Sequence, residues 1–142
     1  MYSRYAQLLT HYCIEVKRGD KVMIRSTYLS EKLLVALCKE ISLSGGIPIL
    51  QIDIQDFDNI WMQHADEEFL EWVNPMTQYW NQEFNGYIFI RAPYETKDKV
   101  QVDLERRNRF NNAQEPIRSL YMQRTGTREL KRNLCQFPTQ YS

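Results

Sequence analysis

Few residues in this chain are of a type and spacing that could do chemistry. Its two histidines, His11 and His64, stand far apart. Metal ligation needs several His, Cys, Asp or Glu at set spacings, and no His-Glu-x-x-His run occurs. His11 lies beside an apolar helical stripe and is expected to be structural or superficial. His64 precedes Ala65-Asp66-Glu67-Glu68. That run is better explained as the solvated, acidic start of a helix, because carboxylates favour the positive end of the helix dipole. The three cysteines, Cys13, Cys38 and Cys135, are odd in number and widely spaced, so they build neither a disulfide framework nor a zinc site. Cys13 and Cys38 fall on apolar helix faces, where a free thiol is inert. No Gly-x-Ser-x-Gly elbow is present. Arg25-Ser26-Thr27-Tyr28 stands where a dinucleotide-binding fold would need glycines. No catalytic residue, metal site or cofactor site is therefore expected within the chain.

What remains is positional. Ligands of open parallel sheets gather beyond the carboxyl ends of the strands, and Arg25 and Arg91 each end a predicted strand and lead into a loop. Two guanidinium groups on one sheet edge could hold a carboxylate bidentately. The other reading pairs them with Asp or Glu at a domain interface, where arginine is enriched, and this reading is favoured. Arg25, Ser26, Thr27, Arg91 and Tyr94 are thus the candidate substrate-chamber or interface residues.

The elements that would position these residues follow from periodicity. Tyr5, Leu8, Leu9, Tyr12, Cys13 and Val16 make one apolar stripe at helical spacing. Arg18-Gly19-Asp20 stops that helix, with Gly19 suited to a left-handed C-terminal position. Residues 21–25 form a short buried strand. Ser26, Thr27 and Ser30 offer capping oxygens to a second helix, which carries Leu33, Leu34, Leu37, Cys38 and Ile41 and ends at Gly45-Gly46. A second strand spans 47–54. Strand, helix and strand with short connections make a βαβ unit, so the strands are parallel and the crossover right-handed.

Residues 56–85 are less regular and dense in aromatics. Asp66 is expected to cap a helix over 67–73, and Asn74-Pro75 to open another that runs to about Phe84. Gly86–Arg91 is a third strand, suited to a central position. A long polar helix over 103–123 is interrupted near Pro116 and touches the core through Ile117, Leu120 and Tyr121. Residues 130–137 are a fourth strand. The fold class is α/β, a Rossmann-like three-layer domain with a mainly parallel sheet of about four or five strands flanked by helices.

The 142 residues fit one domain. The longest apolar runs, Gly86–Ile90 and Ile47–Leu50, fall far below the roughly 20 residues a membrane helix needs. Met1-Tyr2-Ser3-Arg4 leads straight into an amphipathic pattern, so no signal peptide is expected and the cytosol is the expected compartment. Net charge is zero, but residues 1–96 carry 8 Lys/Arg against 13 Asp/Glu, and residues 97–142 carry 10 against 5. The basic stretch from Arg106 to Arg132 either packs against acidic elements of the same chain or meets nucleic acid. Glu105, Glu115 and Glu129 interrupt it, and a nucleic-acid face is usually more one-sided. No nucleic-acid partner is expected.

From Leu8 onward the chain resembles the N-terminal part of the aminopeptidase T family of two-domain metallo-aminopeptidases. The resemblance rests on Tyr5-Ala6-Gln7-Leu8-Leu9, Val16-Lys17-Arg18-Gly19-Asp20 and Met23-Ile24-Arg25-Ser26, then on Ile88-Phe89-Ile90-Arg91-Ala92-Pro93 through Thr96-Lys97. It continues in Gln114-Glu115-Pro116-Ile117-Arg118, Met122-Gln123-Arg124-Thr125 and the run from Arg128 to Thr139. These pieces are in order, have the family's spacing and span nearly the whole chain. The resemblance implies that the full enzyme removes N-terminal amino acids from peptides, with a metal-bound water attacking the scissile carbonyl. It also implies that two divalent metal ions (Zn, Co or Mn) are bound by a C-terminal catalytic domain not represented in these residues. Residues 1–142 would then be a single N-terminal domain, inactive alone, walling the substrate chamber and supporting a homodimer. Its partners would be that catalytic domain, a second copy and the peptide substrate, with no membrane involved. The alternative is a self-standing interaction or dimerisation module of the same fold.

Overall fold

Strand β1 (Lys21–Ser26) is the axis of the sheet, and its burial alternates little because both of its faces are covered. In the computed structural model, residues 1–95 and 100–139 are described; Thr96-Lys97, part of the family resemblance, lies outside the described residues. Strand β1 pairs in parallel with β2 (Ile47–Ile52) on one side and β3 (Gly86–Arg91) on the other. Strand β4 (Lys131–Gln136) adds in parallel beyond β3, giving the order β2-β1-β3-β4. The expected parallel sheet is present with four strands, and β2 stops at Ile52, two residues earlier than the periodicity predicts.

Because side chains alternate along a strand, the register sorts residues cleanly between two faces. Val22, Ile24, Ile88 and Ile90 point to one face and pack against Ala6, Leu9 and Ile14 and against Leu33, Leu34, Leu37 and Ile41. The first group comes from α1 (Tyr2–Leu8) and the turns after it, the second from α2 (Glu31–Leu43). Met23 and Tyr87 point the other way and pack with Trp80, Phe84 and Leu130. That face is covered by α3 (Phe57–His64), α4 (Pro75–Glu83), α5 (Leu104–Ala113) and α6 (Glu115–Gly126). Helix α4 packs on α6, and α3 on α5.

Three local expectations are corrected. The first helix is not one continuous stripe. After α1 the chain takes a π-helical turn over Leu9–Cys13, where Ile14 N–H donates to Leu9 O at 3.0 Å. The wider turn rotates the register, so Ile14 enters the core while Leu8 and Tyr12 are exposed. The turn ends at Glu15, whose φ is +52°, well before Gly19. Second, Ser30 precedes α2 but makes no capping bond to it; its hydroxyl is used by Thr27 O and Ser26 Oγ. Third, residues 67–71 form turns rather than a helix. Asp66 Oδ1 accepts from Glu68 N–H at 2.9 Å, and Leu70 is driven into the core, a tertiary demand that outweighs the acidic start signal.

Other expectations are met. Asn74 caps α4, its Oδ1 accepting from Met76 N–H at 2.9 Å, with Pro75 at the first turn. The long polar helix is broken at Gln114, just before Pro116. After α2 the chain turns through Gly45, whose φ is +82°, a left-handed conformation that costs glycine little. At Gly46 a Cβ would meet Val16 Cγ1 at 2.6 Å and Ile41 Cγ2 at 2.9 Å, so the helix can return to the sheet only through a residue without a side chain.

Candidate functional site

Strand order reverses between β1 and β3, and an open parallel sheet has its ligand crevice there. In this chain the crevice is stitched shut by the candidate residues themselves. Ser26 Oγ, buried, donates to Ile90 O at 2.8 Å and lies 2.7 Å from Ser30 Oγ. Thr27 Oγ1 donates to Ala92 O at 2.6 Å. These hydroxyls satisfy carbonyls at the ends of the strands, so Ser26 and Thr27 hold the two loops together. Tyr94 reaches back across the sheet, its OH donating to Asp53 O at 2.8 Å while its ring sits 5.7 Å from that of Tyr28.

Arg25 projects to the opposite face from Ser26. Its Nε donates to Asp53 Oδ2 at 2.8 Å, and its guanidinium lies 5.9 Å from the centre of the Phe89 ring. Burial works against the Arg25 charge, but the Asp53 hydrogen bond and charge, joined by Tyr87, more than offset it and hold its pKa above the usual value. Burial likewise pushes Tyr87 up, with Arg25 opposing. Arg91 lies two residues beyond Phe89 on this face and is exposed at the end of β3. The structure thus brings Arg25, Ser26, Thr27 and Tyr94 together through Asp53 and the strand-end carbonyls. The carboxylate expected for Arg25 comes from its own chain.

The side of the sheet below Arg25 opens into a cavity of about 600 Å³ between the strand ends and α3–α6. Trp61, Trp72 and Trp80 form much of its wall, with Asp53 and Asp58 among its polar residues. None of these tryptophans is visible as a site residue in sequence. The only signal is the aromatic density of residues 56–85, which packing alone would also explain.

The basic half of the chain is used internally. Arg106 Nε donates to Met62 O at 2.6 Å, and its terminal nitrogen donates to Ala65 O. These are carbonyls at the C-terminus of α3, which lack helical partners and favour a cation. Arg109 pairs with Glu67 and Glu71, Arg124 donates to Asn81 O at 2.7 Å, and Arg128 pairs with Glu15 at 3.2 Å. The charge asymmetry is largely one layer of the fold bonded to another.

Among the described residues, no three His, Cys, Asp or Glu converge to hold a metal ion. His11 Nε2 lies 2.8 Å from Glu40 Oε1, and Glu67 of the acidic run belongs to arginines. These residues do not fit a metal centre. All three cysteines are free, and burial raises the Cys38 and Cys135 thiols, which keeps them protonated and poorly nucleophilic. Among the described residues, no helix is long and apolar enough to cross a membrane.

A family model described as thermophilic metalloprotease (M29) matches residues 1–142. Among solved structures, wild-type AmpT from Thermus thermophilus superposes with a TM-score of 0.72 at 12% identity, over 97% of this chain and 36% of its own. The chain thus spans about a third of the AmpT chain, and the likeness shows a shared α/β fold. A periplasmic binding ribose operon repressor protein from Lactobacillus acidophilus aligns over 95% of this chain and 58% of its own, with 11% identity and a TM-score of 0.38, too distant to bear on either fold or function. No curated protein matches the chain in sequence.

Proposed function

The chain belongs to the thermophilic metalloprotease (M29) family, and we propose that it is the N-terminal, non-catalytic domain of a metal-dependent aminopeptidase that removes N-terminal amino acids from peptides. The observation that carries this reading is a combination. A family model matches the whole chain, while its described residues contain no metal-binding cluster and it covers only 36% of AmpT. On this reading the divalent ions (Zn, Co or Mn) belong to a C-terminal catalytic domain, so no step of hydrolysis is assigned to residues of this chain.

What this chain supplies is a rigid wall. Ser26 and Thr27 lock the β1 and β3 loops, Asp53 fixes Arg25, and Tyr94 ties the third strand's loop to the second. Arg91, exposed at the strand end, presents a guanidinium to the catalytic domain or the peptide chain. A cytoplasmic homodimer is part of the same proposal. A second reading, a self-standing interaction or dimerisation module, draws on the exposed Ile54, Phe57 and Trp72, which line one cavity, because apolar surface gathered in one place marks a contact face.

Hydrolysis of amino-acid p-nitroanilides with added Zn²⁺, Co²⁺ or Mn²⁺ tests the first reading, comparing the 142-residue chain with the full-length gene product. Turnover by the longer protein alone is expected. Turnover by these residues alone, free of contaminating peptidase, or by neither protein, overturns it. In the active protein, Arg25→Ala and Arg91→Ala should lower activity or thermal stability. If both variants leave both properties unchanged, the strand-end loops do not serve as the chamber wall.

A further inference from the structure

The two edges of the sheet are finished differently. Strand β4 carries Lys131 and Arg132, and charges on an edge keep other strands away. Strand β2 has no charged residue from Ile47 to Ile52. Two bonds to the β1 side fix its orientation: Ile47 N–H donates to Asp20 O at 2.7 Å, and Asp53 N–H donates to Ser26 O at 2.8 Å. Backbone groups alternate between the two sides of a strand, so Ile47, Ile49, Gln51 and Asp53 bond toward β1 while Pro48, Leu50 and Ile52 face outward. Pro48 has no N–H to offer. Among the described residues, the outward N–H and C=O groups of Leu50 and Ile52 have no partner. The side chains of Leu50 and Ile52 lie on the α2 side of the sheet, in register with Ile24 and Ser26, and are 48% and 44% exposed. An uncharged, apolar and unpaired edge is a template for another strand.

Helix α2, the crossover between β1 and β2, supplies a second and independent observation. Glu31, Val35 and Lys39 are four residues apart and form one line along the helix, all of them exposed. Neither charge has an ion pair among the described residues. Glu40, whose carboxylate meets His11, marks the side of α2 toward α1. Val35 lies five residues earlier, about 140° around the helix, and so faces away from α1, toward the β2 end of the sheet. The line is self-complementary. Turned antiparallel against itself, it sets Val35 on Val35 and Glu31 on Lys39.

We infer that β2 pairs antiparallel with the same strand of a second copy of this chain, about a two-fold axis at Gln51. The two four-stranded sheets become one, with the α2 helices side by side above it. Leu50 stands opposite the partner's Ile52, and Ile52 opposite the partner's Leu50, each pair exchanging both of its backbone bonds. Moving the axis to Leu50 or to Ile52 leaves only one complete pair within β2, because Pro48 has no donor and the strand ends at Ile52. A two-fold interface must match itself, and here both the strand edge and the helix line do. An unrelated strand would satisfy the edge but not the alternation of Glu31, Val35 and Lys39. This inference rests on the homodimer included in the proposed function and locates its contact; it does not depend on peptidase activity.

Sedimentation equilibrium of the purified chain tests it, with a dimer as the expected species. Leu50→Lys, at a half-exposed edge position, should weaken association about tenfold or more, because an unpaired charge is buried in the contact, with the far-UV circular dichroism unchanged. Glu31→Lys should weaken it several-fold by bringing like charges together, and adding Lys39→Glu should restore it. Gln51→Cys reads the register. A non-hydrogen-bonded antiparallel pair has Cα atoms about 4.5 Å apart, within reach of a disulfide, so mild oxidation should yield a covalent dimer on non-reducing electrophoresis. Ile47→Cys, at the far end of the same strand, should yield no more than the unmodified sequence. A chain that stays monomeric, a Leu50→Lys dimer as tight as the parent, or Gln51→Cys cross-linking no faster than Ile47→Cys overturns the inference. If Leu50→Lys does not fold, the cross-linking pair alone decides. Association is read without any hydrolysis assay, so failure of the peptidase reading and failure of this contact are seen separately.

Discussion

The two faces of this sheet are built on different principles. The face under α1 and α2 is mainly apolar, with Thr10, Ser26 and Ser30 its buried polar residues. Val22, Ile24, Leu33, Leu37, Ile41 and Ile88 are completely buried, and dispersion with the hydrophobic effect accounts for the contact. The face under α3–α6 is assembled from aromatic rings, ion pairs and arginine bonds to carbonyls. Trp80 lies tilted against Tyr87 with centroids 4.8 Å apart, and Tyr121 meets Tyr87 edge-on at 5.9 Å. Neither α5 nor α6 has a fully buried residue. The first face specifies the fold by exclusion of water. The second borders a cavity of about 600 Å³.

That contrast can be broken most decisively at its apolar end. Leu37→Ala is expected to cost about 2–5 kcal/mol, the loss from transfer and a residual cavity in a site that cannot collapse, measured by urea denaturation. A loss below about 1 kcal/mol would mean that the α2 face is looser than its burial indicates. On the other face, Arg106→Ala should cost roughly 1–3 kcal/mol, since it strips two carbonyls at the end of α3 of their donor. Arg106→Lys should recover only part, because one ammonium cannot reproduce the planar fork. If the alanine variant is neutral, the arginine bonds are ornaments on a face held by its aromatics.

A smaller effect joins helix α1 to strand β4. Tyr5 is pushed up to about 12, first by burial and then by Cys135, while burial raises Cys135 itself. Folding therefore favours the neutral forms. Their stabilisation is complete below the unfolded values, near 9 for the thiol and 10 for the phenol, and is lost as pH rises through the folded ones. Urea midpoints should fall between pH 9 and 12, less steeply in Tyr5→Phe; identical slopes would show that other groups govern the alkaline limit. The smallest change is expected at the cavity mouth, where Asp58→Asn should shift stability by no more than about 0.5 kcal/mol. A larger loss would make Asp58 part of the scaffold.

How far the sequence reveals each region follows the same division. Strands β1 and β3, helix α2 and the capped start of α4 are local in origin, set by alternation, helical spacing and the Asn74-Pro75 signal, and they lie where those patterns place them. Helix α1 misleads because Tyr12 and Cys13 continue the stripe in sequence. Burying Ile14 requires one extra residue in the turn, which no local pattern encodes. The acidic run after His64 misleads for a similar reason. Leu70 must reach the core, and Glu67 is wanted by Arg106 and Arg109 of a helix about 40 residues away.

The candidate site shows the limit most clearly. Arg25 and Arg91 are conspicuous as strand-end residues, but Asp53, which fixes Arg25, is only one of several acids bounding β2. The α/β class, the parallel sheet and the family are legible in the chain's order of residues, because side-chain periodicity and short ordered segments are properties of near neighbours. Tertiary structure alone decided which carbonyls take the arginines, that hydroxyls close the strand-end crevice, and that three tryptophans surround a cavity. Those outcomes depend on distances between residues far apart in the chain, and only the closed three-layer packing sets them.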